Sequence, residues 1–141
     1  MMASTLRLPC SKPPFVRIHG KEGVHELRAA IDTAASLCMV QKRDLIELGY
    51  HAYFGPRVAN IGEGAEVITP YYKIRAPLVR VKEIELGRLI AKDVPCLGVD
   101  IFEDLGVDVI LGRSFLENFD LEFDFKDDVV TFHQEEAPTE G

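Results

Sequence analysis

The stretch Ala29-Ala30-Ile31-Asp32-Thr33-Ala34-Ala35-Ser36 decides how this chain reads: an apolar run stops at a carboxylate and continues in small residues. Such a run describes a strand with an acid at its rim. A carboxylate there is partly stripped of water, and small neighbours leave room for another backbone to come close. The same pattern also suits a plain strand-end turn, because Asp and Ser are favoured where strands stop.

Upstream, Phe15-Val16-Arg17-Ile18-His19 alternates apolar and polar as a half-buried strand does, and Gly20-Lys21-Glu22-Gly23 reads as a turn. Residues 24–31 then return as the second arm of a hairpin that delivers Asp32. Downstream, residues 37–40 suggest a short buried strand and residues 41–48 a helix stopped by Gly49. Residues 51–60 suggest a strand bent at Gly55-Pro56.

In Ile61-Gly62-Glu63-Gly64-Ala65 two glycines flank one acid, the composition of a mobile hairpin tip. The run 66–81 supplies strand formers, with Pro70 and Pro77 at edges or bends. Strands follow at 82–86 and 90–99 around Gly87-Arg88, then a loop at 102–107. Asp108-Val109-Ile110-Leu111-Gly112 is an apolar strand ending in a brief helix, which Ser114 would cap with Glu117 as reciprocal partner. Residues 119–125 and 129–133 alternate again as the last strands. Short strands and two brief helices describe an all-β barrel or sandwich.

At 141 residues the chain suits one domain with a real core. Hydrophobic residues at 47% and charged residues at 28% describe a globular protein, not a disordered one. The division expected is a flexible arm over 1–14, a domain over 15–133 and an acidic tail over 134–141. A net charge of -7 without a Lys/Arg cluster argues against nucleic acid as a partner. The opening residues lack the apolar run of a signal peptide, and no later stretch reads as a membrane span, so a cytoplasmic location is expected. Cys10, Cys38 and Cys96 lack paired metal spacing, and four scattered His complete no ligand pattern. Free thiols, no metal and no cofactor are expected.

Three motifs in order now carry a resemblance. Ile31-Asp32-Thr33-Ala34-Ala35-Ser36 resembles the D-T-G-A-S signature of retropepsin-like aspartic proteases. Val109-Ile110-Leu111-Gly112-Arg113-Ser114-Phe115-Leu116 resembles their second hallmark, an apolar pair followed by L-G or I-G-R and a short helix. Gly62-Glu63-Gly64 falls between the two, where that family has its flap, and residues 119–125 look like the strand after the helix. The resemblance spans roughly residues 15–133 and implies an acid-protease barrel with a flap hairpin, active as a symmetric homodimer on peptides or unfolded protein segments.

Hydrolysis by that route needs two carboxylates sharing one proton, one as base toward water and one, protonated, polarising the carbonyl oxygen. One D-T-x-A element in a chain with no room for a second copy implies that a two-fold axis brings two Asp32 together. By the same resemblance Thr33 ties the two loops across the axis, and Gly62, Glu63, Gly64 and Ile110 meet the substrate. Val58, Ile61 and Ile68 are further candidate pocket walls. Gly112 and Arg113 hold the dimer-side structure.

Two departures stand out. The family has glycine at the position of Ala34, where the backbone nears the substrate. Its Arg pairs with an Asp where this chain has Ser36, so Arg113 has lost that partner. They support an alternative, an inactive retropepsin-like module that dimerises or binds peptides. A third reading, a β-barrel ligand-binding protein, would be indifferent to Asp32→Asn.

Overall fold

The computed structural model describes residues 4–54, 64–68, 73–101 and 103–135, with backbone alone at 64–68 and 73–75. Its ten strands are β1 (Ser4–Leu8), β2 (Phe15–Gly20), β3 (Gly23–Ile31), β4 (Cys38–Gln41), β5 (Gly64–Ile68), β6 (Lys73–Leu86), β7 (Leu89–Val99), β8 (Val109–Leu111), β9 (Asp120–Asp124) and β10 (Val129–Gln134). Helix α1 is Lys42–Leu45 and helix α2 is Arg113–Leu116. The all-β expectation holds.

Six strands pair in the order β2-β3-β8-β4-β7-β6, and β6 pairs back onto β2, which closes a barrel. Closure removes the sheet edges that would otherwise stay unpaired. Alternation drives it: in β2 Val16 and Ile18 are fully buried while Phe15 and Arg17 are exposed. The core they enter also takes Leu27, Val79, Val81, Ile84, Leu111 and Phe115. A smaller cluster forms around Met39 and Leu97, with Leu37, Leu78, Val99 and Ile110 packed against it.

Two pairings place the site. β3 and β8 run parallel with Ile31 opposite Leu111, so their C-terminal ends emerge side by side. β4 then returns antiparallel to β8, so residues 32–37 arch over the end of β8.

The expected loose arm is not loose throughout: β1 pairs with β10 from Ser4↔Gln134 to Leu8↔Val130, and β9 completes this three-stranded sheet. The expected bent strand at 51–60 is also corrected, because His51–Phe54 forms a 3-10 turn; residues 55–60 lie outside the described residues. After α1 the helical run continues as a π-type segment, Ile46–Tyr50, and it is broken where read, since Gly49 within it adopts φ 101, which L side chains rarely take. No helix is long and apolar enough to cross a membrane among the described residues.

Candidate active site

Asp32 follows the last residue of β3 and is half-buried, while Thr33 and Ala34 beside it are exposed. Its N–H donates to the Leu111 carbonyl at 3.0 Å, which continues the β3–β8 ladder one step beyond the strands. Its Oδ1 accepts the Ala34 N–H at 3.0 Å, an Asx-type turn that fixes the carboxylate's orientation. The Ala35 N–H donates to the Asp32 carbonyl at 3.3 Å and closes the turn.

The arch is strapped to the start of α2. The Arg113 N–H donates to the Ala35 carbonyl at 2.8 Å and the Ser114 N–H to the Ser36 carbonyl at 3.1 Å. Beneath them the buried Ser114 Oγ donates to the Pro95 carbonyl at 2.7 Å and accepts the Cys38 N–H at 2.9 Å. One hydroxyl thus ties β4, β7 and α2 under the acid. The sequence reading of Ser114 as a helix cap is overturned: Gly112 occupies the cap and no side chain caps the helix. Only the register of β4 against β7, Cys38↔Cys96, brings Pro95 near, and a linear pattern carries no trace of it.

Asp32, Thr33, Ala34, Gly112 and Arg113 are therefore brought together where β3 and β8 end, with Ile110 two residues back on β8. Ile110 is half-buried in the Met39–Leu97 cluster. Arg113 is exposed and enters no ion pair among the described residues, in keeping with Ser36 where an acid would be needed. Ala34 is not among the positive-φ residues, so its backbone does not require glycine.

Gly62 and Glu63 lie outside the described residues, as do Val58 and Ile61. Gly64 opens β5 opposite Pro77, whereas Ile68 faces Lys73, so the connection of this hairpin spans residues 69–72, outside the described residues. The tip read at 61–65 is therefore misplaced at its C-terminal end: Gly64 and Ala65 belong to a strand.

Among the described residues two groups of metal-capable side chains form, and both are already paired. His19 Nε2 contacts Glu85 Oε1 and lies 3.4 Å from Glu83 Oε2. His25 Nδ1 meets Asp44 Oδ1 at 2.8 Å and its Nε2 lies 3.7 Å from Glu47 Oε2. The first group joins β2 to β6, and the second joins β3 to α1 and the turn after it; neither includes a residue of the Asp32 turn. Cys38 and Cys96 are buried free thiols, and burial pushes the Cys96 thiol well above its ordinary value, reinforced by Cys38 beside it.

The model of the family described as aspartyl protease matches residues 16–115. Among solved structures the chain is similar to a retropepsin-like aspartic protease from Rickettsia conorii, at 15% identity and a TM-score of 0.61, covering 94% of this chain and 93% of that one. No curated protein matches the chain.

Proposed function

The chain belongs to the aspartyl protease family, and from that premise we propose that it is an aspartic endopeptidase whose two catalytic carboxylates are the Asp32 side chains of a homodimer. The observation that carries this reading is the Asp32 turn: a strand-end carboxylate, oriented by the Ala34 amide and flanked by exposed Thr33 and Ala34. Each chain brings one such acid, and a two-fold axis through the turn pairs it with its copy.

One Asp32, ionised, takes a proton from a water while the water oxygen attacks the scissile carbonyl carbon. The other Asp32, protonated, gives its proton to the carbonyl oxygen, which yields a tetrahedral diol. A proton then passes to the amide nitrogen, the C–N bond breaks, and the shared proton is restored to the pair. Thr33, exposed beside each acid, ties the two turns by hydroxyl hydrogen bonds.

The partly buried Ile110, Leu78 and Val99, packed on the buried Met39 and Leu97, offer the apolar walls that an extended peptide needs. Substrates are peptides or unfolded protein segments with apolar side chains near the cut. The β5–β6 hairpin, which Gly64 opens opposite Pro77, supplies the flap, and Gly62, Glu63 and Gly64 offer their backbone amides to the substrate. The protein works in the cytoplasm. A second reading, an inactive peptide-binding dimer, is favoured by Ala34, whose methyl stands where the family has glycine.

Incubation with an unbiased peptide mixture across pH 4–7 tests the proposal. Two adjacent carboxylates cannot both ionise cheaply, so activity is expected below neutrality. Ala35 has no hydroxyl to stabilise the ionised pair, so the optimum is mildly acidic. Asp32→Asn is expected to lower the rate by about 10²–10⁴-fold. Cuts that persist in this variant contradict the proposal, and a folded dimer that makes no cuts supports the second reading.

A further inference from the structure

His25 on β3 meets two acids of one helical run. Asp44 in α1 and Glu47 in the π-type segment after it are three residues apart and so share a face, while the fully buried Leu45 and Leu48 press that run onto the barrel. His25 Nδ1 meets Asp44 Oδ1 at 2.8 Å, and its Nε2 lies 3.7 Å from Glu47 Oε2. The three residues offer one ligand atom each, all within 4.8 Å of one another.

This pairing leaves one atom over. Asp44 is 7% exposed, and its Oδ2 is buried with no hydrogen-bond partner. Among the described residues the one ion-pair partner of Asp44 is His25, through the other oxygen. A buried carboxylate oxygen left bare is costly, and protonation does not relieve it, because the O–H would have no acceptor in reach. The β2–β6 group carries no such mark: His19 Nε2 faces both Glu85 and Glu83, and none of their buried atoms is left without a partner.

We propose that His25, Asp44 and Glu47 form a binding site for a divalent first-row metal ion of zinc type, separate from the Asp32 turn. Imidazole nitrogen and carboxylate oxygen are fitting ligands for such an ion. Two donors each about 2.0–2.2 Å from one ion stand roughly 3 Å apart when they meet it at a right angle. Nδ1 and Oδ1 are 2.8 Å apart. Asp44 Oδ2 then gains the ion as its partner. The Glu47 side chain is 58% exposed, so its carboxylate is free to swing onto the ion and leaves a path from solvent, and water fills the remaining positions. The ion pins β3 to the run that carries Leu45 and Leu48, a structural role. The linear pattern hid the group because His25 and Asp44 are 19 positions apart and meet only through packing.

Calorimetric titration of zinc into the tag-free chain, with melting followed in zinc and in EDTA, tests the site on wild type, His25→Gln, Glu47→Gln, His19→Gln and Asp32→Asn. Far-UV dichroism checks folding, and the exposed Glu47 keeps the test valid should His25→Gln not fold. One ion per chain is expected, bound at least about tenfold more weakly by His25→Gln and by Glu47→Gln and unchanged in the other two. Zinc at about 100 times its Kd should raise the wild-type thermal midpoint by roughly 5–10 °C, and EDTA should remove the gain. No uptake at about 1 mM zinc overturns the site and leaves water as the partner of Asp44 Oδ2. Uptake that keeps wild-type affinity in either His25→Gln or Glu47→Gln overturns it too. Uptake lost in His19→Gln or Asp32→Asn belongs to another site and overturns it as well.

Discussion

Gly112 is a glycine of space rather than of conformation. Its φ of -93° and ψ of -171° are extended backbone open to any residue. A Cβ there would collide with the Leu37 carbonyl oxygen and lie 2.8 Å from that of Ala35, both fixed in the arch over β8. Gly112→Ala is therefore expected to destabilise the fold by about 3 kcal/mol or more in urea unfolding. Ser114→Ala, which strands the buried Cys38 N–H and Pro95 carbonyl, is expected to cost about 1–3 kcal/mol. A Gly112→Ala protein as stable as wild type would mean that the arch is slack. The L-G motif made Gly112 legible in sequence, but its reason was not, because the crowding carbonyls come from residues some 75 positions away. Ser114 was misread for the same cause: its partners arrive through strand pairing.

Among elements, β2, β3, β9 and β10 were legible because one face of each is wetter than the other, and alternation is a local property. β1 was not, since Ser4–Leu8 is explained only by β10, and Thr5 pairs with His133 at the far end of the chain. The arm expected over residues 1–14 holds Pro13 and Pro14, yet these follow a strand and do not prevent one. The hairpin was legible as a hairpin but not in register: glycines at 62 and 64 drew the tip toward them, whereas Ile68↔Lys73 puts the connection later. Aromatic residues in His51–Phe54 imitated a strand, and the turn at Gly49 redirected them into a 3-10 turn. Removal of residues 1–8 tests the role given to β1. It strips β10 of five paired residues and takes Leu6 and Leu8 from the core, so a loss of about 2–4 kcal/mol is expected. The thermal midpoint should fall by roughly 10 °C, with more self-association through the bared edge. An unchanged melt would show that β1 contributes nothing.

For the whole molecule, barrel closure by β2–β6 and the parallel exit of β3 and β8 bring one acid to one rim. The motif order alone conveyed this architecture. The sequence carries one Asp32 motif, and in the proposed homodimer a second chain supplies the other acid. Mixing wild type with Asp32→Asn at constant total concentration, well above the dimer Kd and after exchange, tests this most directly. Only pairs with two Asp32 cleave, so activity should follow the square of the wild-type fraction and fall to about one quarter in an equal mixture. A linear fall, to about one half, would show that each chain works with its own acids and would contradict the shared dyad.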